Sequence, residues 1–214
     1  MIQVITIRPS RPADSDLVAR LIYLTMGIEA DWLFGQVKSH STLQVLADLC
    51  ARKNNRLSYT LAHLAESNGQ AVGLLLAYPG WLVSRLNWLT GWCLLQIMGL
   101  PATLRLASLQ SAYGDLKETE ADEFYISNLA VIPEFQEQGI GTMLMDYAEK
   151  MARESGLQKC SLIVAYGHEN ACNLYQHLGY KVVRSYLTGH PKVAEGSGGY
   201  RRLVKNLAPP PDIG

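Results

Sequence analysis

The stretch Leu129-Ala130-Val131-Ile132-Pro133-Glu134-Phe135-Gln136-Glu137-Gln138-Gly139-Ile140-Gly141-Thr142 decides how this 214-residue chain is read. Its first residues are apolar, Pro133-Glu134-Phe135 ends a strand, and Gln136 to Gly141 forms a turn with two glycines. Met143, Leu144, Tyr147, Ala148, Met151 and Ala152 then recur at the spacing of one helical face until Gly156 stops the helix. Strand, glycine turn and helix in that order suit an anion. Glycines let successive backbone N–H groups converge, and the positive end of the helix dipole adds to the attraction.

Spacing narrows the choice of phosphate ligand. A dinucleotide fingerprint needs a third glycine where Leu144 stands, and a P-loop needs a Gly-Lys-Ser/Thr that does not follow. Upstream, Phe124, Ile126, Leu129 and Val131 read as the apolar face of one strand, yet Ile126 and Leu129 are three residues apart. A β-bulge near Ser127-Asn128 restores the phase. It also splays the strand from a neighbour, leaving backbone groups for a ligand.

Working outward, Ile5 to Arg8 reads as a first strand, and Leu17, Val18, Leu21, Ile22 and Leu24 as the apolar face of a helix. A second helical stretch runs roughly over 31–50. Two apolar runs, 59–65 and 71–77, flank Ser67-Asn68-Gly69, a strong hairpin signal. Residues 81–116 form a mainly helical insertion, with no charged residue between Arg85 and Arg105. That gap is about long enough to span a bilayer. Asn87, Thr90, Gly91, Gln96, Gly99 and Pro101 interrupt it, which favours helices packed over the core or a substrate pocket.

Composition supports a single soluble domain: 48% of residues are hydrophobic and 18% charged. Lys plus Arg equals Asp plus Glu at 19 each, so no general attraction to nucleic acid or anionic lipid is expected and any anion site is local. Four scattered cysteines and the N-terminal alternation point to reduced thiols, no signal peptide and a cytoplasmic location. His40, His63 and His177 share no ligand spacing with carboxylates, so no metal is expected.

Leu129-Ala130-Val131-Ile132-Pro133 followed by Gln136-x-x-Gly139-x-Gly141 resembles the central motif of the GNAT superfamily of N-acetyltransferases. Ala171-Cys172-Asn173-Leu174-Tyr175-Gln176-His177-Leu178-Gly179-Tyr180 resembles that family's second motif, with Tyr180 in place of Phe. The family's asparagine position is His168 here, and Asn170 follows two residues later. The resemblance implies an α/β fold of α+β type: one mixed, mostly antiparallel sheet splayed at a bulge and flanked by helices. It implies one acetyltransferase domain over 1–208, with 81–116 inserted between the third and fourth strands and 209–214 left as a tail.

The resemblance also implies acetyl-CoA as donor, held by Leu129, Ala130, Val131, Gln136, Glu137, Gln138, Gly139, Ile140, Gly141 and Thr142, with His168, Asn170 and Ala171 along its arm. The acetyl group passes directly to a primary amine of a small molecule or protein, and Tyr175 is the general acid for the departing thiolate. An amine with a pKa near ~10 is almost wholly protonated at pH 7, so a base is required. Glu123 and His190 are the candidates. The alternative is a non-catalytic module of the same fold that binds acyl-CoA or docks a partner. A peripheral membrane protein held by Trp81, Trp88 and Trp92 is a third class. No nucleic acid or membrane partner is expected, and the aromatic insertion suits a partly apolar acceptor or a homodimer contact.

Overall fold

The computed structural model describes residues 4–35, 40–109, 116–187 and 198–207. Among the described residues seven strands form one sheet: β1 (Ile5–Pro9), β2 (Ala62–Ser67), β3 (Gln70–Pro79), β4 (Phe124–Val131), β5 (Lys159–Ala165), β6 (Lys181–Leu187) and β7 (Gly199–Asn206). Their spatial order is β1-β2-β3-β4-β5-β7-β6, and only the β4–β5 pair is parallel. The hairpin turns where the Asn-Gly pair demands it, with positive φ at Asn68 (51°) and Gly69 (79°).

Helices cover both faces. Against one lie α1 (Ser15–Met26), α2 (Ile28–Phe34), α3 (Thr42–Ala51) and α4 (Val83–Leu109), which share a core with Leu64, Leu74, Leu76, Tyr78 and Tyr125 of the sheet. Against the other lie α5 (Ile140–Glu154) and α6 (Glu169–His177), packed on Leu75, Ala77, Phe124, Ile126, Leu162 and Leu203. The stretch expected to be helical over 31–50 resolves into the end of α2 and all of α3. Ser41 starts α3 with a capping box, its Oγ accepting the Gln44 amide at 3.3 Å while Gln44 Oε1 accepts the Ser41 amide at 2.9 Å.

The insertion forms α4, which bends at Gly99 (φ 75°, ψ 170°) ahead of Pro101. By length and composition this helix could cross a membrane. Leu86, Cys93, Leu94 and Ile97 on its inner side are instead part of the domain core, while Trp88 and Trp92 on its outer side are 79% and 56% exposed. Its two arms also wall the cleft described below.

The bulge falls where the apolar spacing places it. Leu76 pairs with Asn128 and Ala77 with Ile126, so Ser127 has no partner on β3. With that extra residue, Phe124, Ile126, Leu129 and Val131 all turn toward the α5–α6 side. On the opposite edge, β4 pairs with β5 only from Phe124↔Cys160 to Ile126↔Leu162. Beyond that point the two strands part.

Candidate active site

The parting of β4 and β5 exposes a defined set of main-chain groups. The Ile132 amide donates to Val72 O of β3 at 2.9 Å. Backbone groups alternate sides along a strand, so the amides of Leu129 and Val131 face the opposite edge, into the gap. Gln136 Nε2 donates to Val131 O at 3.0 Å, which agrees with that direction. Leu129, Ala130 and Val131 of β4 and Ile163 to Ala165 of β5 line a cleft of about 1030 Å³.

At the end of β4 the glycine turn is exposed and strongly curved. Glu137 (φ 60°) and Gly139 (φ 78°) are both left-handed, and Gly139 caps α5. Among the described residues, no protein acceptor takes the amides of Glu137, Gln138, Gly139, Ile140, Gly141 or Thr142; the helix ladder begins with Met143 donating to Gly139 O at 3.0 Å. The turn is braced from outside by Gln138 Nε2, which donates to Glu134 O at 3.2 Å. Six amides without a protein acceptor at the positive end of a 15-residue helix fit a diphosphate. Space fits too, since a Cβ built on Gly139 meets nothing within 4 Å.

Across the gap stands α6. His168 is its N-cap, exposed and lining the cleft beside Ala171 and Tyr175. Asn170 lies in the first turn of α6, exposed and outside the cleft lining. Tyr175 is 8% exposed, and burial pushes its hydroxyl up to about 12, with a smaller push from Cys172. The phenol therefore keeps its proton at neutral pH.

The two sequence candidates for a base fare differently. His190 lies outside the described residues. Glu123 is 4% exposed and absent from the cleft lining; its carboxylate accepts from Arg202, from Thr119 Oγ1 at 3.0 Å and from the Glu120 amide at 2.9 Å. Burial raises its pKa, but the Glu120 amide, Arg202 and Ser161 together outweigh that and hold it below the ordinary carboxylate range.

One constellation has no counterpart in the motifs. Arg56 Nε donates to Tyr78 Oη at 3.0 Å, Nη1 to Asn87 Oδ1 at 3.2 Å and Nη2 to Glu118 Oε2 at 2.5 Å. Arg56, Asn87, Glu118 and Tyr125 all line the cleft, which Gln136 also reaches while residues 137–142 lie outside its lining. Tyr78 and Tyr125 are cross-strand partners with ring centroids 5.7 Å apart. The sequence signal for this cluster was two tyrosines inside apolar strands, since a buried hydroxyl needs a partner. Among the described residues no group of His, Cys, Asp and Glu is arranged to hold a metal ion.

The comparisons with known proteins agree with this geometry. Among solved structures, the chain is similar to an N-acetyltransferase from Staphylococcus aureus Mu50, at 22% identity and TM-score 0.66 over 94% of this chain and 100% of that one. It is similar to an agmatine N-acetyltransferase, at 15% identity and TM-score 0.57 over 95% and 99%. It also resembles the ribosomal-protein-S18-alanine N-acetyltransferase from Escherichia coli, at 14% identity and TM-score 0.54 over 98% of each. These likenesses show the fold. The sequence of residues 27–180 matches the acetyltransferase (GNAT) family over well more than half of the chain, so the protein belongs to that family and is a GNAT-type N-acetyltransferase.

Proposed function

We propose that the chain transfers an acetyl group from acetyl-CoA to a primary amine of a small molecule or protein, by direct attack and with Tyr175 as general acid. The observation that carries this reading is the set of open amides from Glu137 to Thr142 lying next to the unpaired edge of β4. Acetyl-CoA, when bound, supplies the acetyl group as a thioester. The amides of the turn and the positive end of α5 hold its diphosphate. Gln136 braces the turn against Val131 O. His168 and Ala171 flank the arm of the coenzyme from the α6 side.

The amides of Leu129 and Val131 donate toward the gap, where negative charge develops as the amine attacks. Fixed donors of this kind lower the barrier because they need no reorganisation. Tyr175 keeps its proton until the sulfur leaves, because its pKa is lifted to about 12. The four cysteines are all buried and unpaired, and burial pushes the Cys50 and Cys160 thiols up to about 12, so neither is a thiolate available as a competing nucleophile.

The test is amine-dependent thiol release from acetyl-CoA across a panel of primary amines, preceded by calorimetric titration with acetyl-CoA. Binding followed by thiol release with at least one amine supports the reading. Binding without release from any amine turns it into an acyl-CoA-binding module.

A further inference from the structure

We propose that Glu118, held by Arg56, receives the acceptor's amino group and takes its proton, and that the acceptor is a small primary amine with an apolar body and no carboxylate. This rests on the acetyl-transfer reading above and names the substrate class for the same cleft.

Arg56 is anchored from several directions. Its side chain reaches Tyr78 of β3, Asn87 of α4 and Glu118, and its amide donates to Thr90 Oγ1 at 2.9 Å. Three of its side-chain N–H groups are committed, and its charge is matched by Glu118. A substrate carboxylate therefore finds no uncompensated cation here. Glu118 differs. Oε2 takes Arg56, whereas Oε1 has no hydrogen-bond donor among the described residues, and the side chain is 25% exposed on the cleft wall. An anionic oxygen partly withdrawn from water requires donors, and an amine supplies them.

The position of Glu118 is built in. Thr119 Oγ1 shares a hydrogen bond with Ser161 Oγ of β5 at 2.7 Å, and the Gly80 amide donates to Glu123 O at 2.7 Å, which fixes the segment on both sides. Glu118 is close enough to Tyr125, on the strand that carries the open edge, to add to the rise that burial imposes on that hydroxyl. Elsewhere the walls mix polar groups, among them Glu29, Thr103 and Lys117, the last paired with Glu120 at 2.6 Å, with the apolar side chains of Met26 of α1, Leu33 of α2, and Val83, Leu94 and Leu106 of α4. The apolar stretch suits a hydrocarbon body.

In the transfer, the amine nitrogen forms a bond to the thioester carbonyl carbon and the C–S bond breaks. The ammonium's first proton passes through Glu118 to solvent before attack, the second, shed as the amide forms, passes to Glu118, and the sulfur takes the proton of Tyr175. An amide and a free thiol result, and both side chains then exchange protons with solvent.

Hexylamine and 6-aminohexanoate, equal in length, test the acceptor class on the unaltered protein. Hexylamine is expected to have a kcat/KM at least about tenfold above that of the amino acid, the cost of leaving one carboxylate unmatched. In Glu118→Gln, whose amide oxygen still accepts from Arg56, kcat/KM for hexylamine is expected to fall about a hundredfold, with acetyl-CoA affinity unchanged by calorimetry. Hexylamine is also expected to raise the unfolding temperature of the wild type but not of Glu118→Gln. Preference for the amino acid, no turnover of hexylamine by protein that binds acetyl-CoA, or equal kcat/KM in the variant overturns this proposal alone. Failure of the wild type to bind acetyl-CoA overturns the transfer reading with it.

Discussion

The glycine turn and the Arg56–Glu118 cluster are built in different ways. In the proposed coenzyme site, recognition rests on main-chain amides: the turn from Glu137 to Thr142 and the unpaired edge of β4. In the proposed acceptor site it rests on side chains gathered from residue 56, β3, α4 and the segment before β4, with Arg56 and Glu118 62 residues apart in sequence. Backbone recognition needs glycines and positive φ at fixed spacing, so it leaves a local pattern. Side-chain recognition can be assembled from any segments the fold brings together, and leaves none. The same contrast predicts that changes at the first site alter coenzyme affinity, and changes at the second alter the acceptor.

Four substitutions break or sharpen this contrast. Tyr175→Phe is expected to lower turnover by about a hundredfold or more while leaving acetyl-CoA affinity alone, read by single-turnover thiol release and calorimetry. An unchanged chemical step removes Tyr175 as the acid. Glu123→Gln tests whether that carboxylate supports the sheet or the chemistry. Breaking its buried pair with Arg202 is expected to cost about 3 kcal/mol at neutral pH, measured by denaturant unfolding.

That loss carries a pH signature. The folded-state pKa of Glu123 is depressed, so its stabilisation is present above the ordinary carboxylate range and is lost as pH falls through the folded value. The gap between wild type and Glu123→Gln therefore narrows below about pH 4. A large loss of turnover in stably folded Glu123→Gln would instead restore it as the base.

Gly80→Ala addresses the proposed acceptor site from behind. A Cβ there falls 1.9 Å from Glu120 O, so the segment carrying Glu118 must shift. The expected cost is about 2 kcal/mol of stability, with impaired turnover and little change in acetyl-CoA affinity. Gly139→Val is the counterpart at the proposed coenzyme site. The left-handed φ of 78° costs a β-branched residue about 1–2 kcal/mol, so the turn is expected to relax from the conformation in which its amides converge, and acetyl-CoA affinity to fall about tenfold, read by calorimetry. If the two glycine variants exchanged these effects, the division between the two sites would be wrong.

Most of the sheet and the glycine turn were legible in the sequence for physical reasons. The three-residue step from Ile126 to Leu129 demanded an extra residue, and Ser127 supplies it. Asn68-Gly69 specified its own turn, and Gly139 its own cap. The helical stretch over 31–50 was less readable, although Gly35 closes α2 and Ser41 and Gln44 spelled a capping box for α3. The insertion bends at Gly99 as its breakers suggested, but which residues of α4 face the cleft depends on tertiary packing. Arg56 and Glu118 were invisible because each looks like a solvated surface charge until Tyr78 and Asn87 are brought beside them.

The central claim is that open main-chain amides at the start of α5 grip the coenzyme's diphosphate. Hydrogen exchange of residues 136–143, followed with and without acetyl-CoA, tests it most directly. The account predicts that exchange at Glu137 to Thr142 slows markedly on binding while the outer face of α4 is unchanged. Saturable acetyl-CoA binding with no protection in this turn would contradict it.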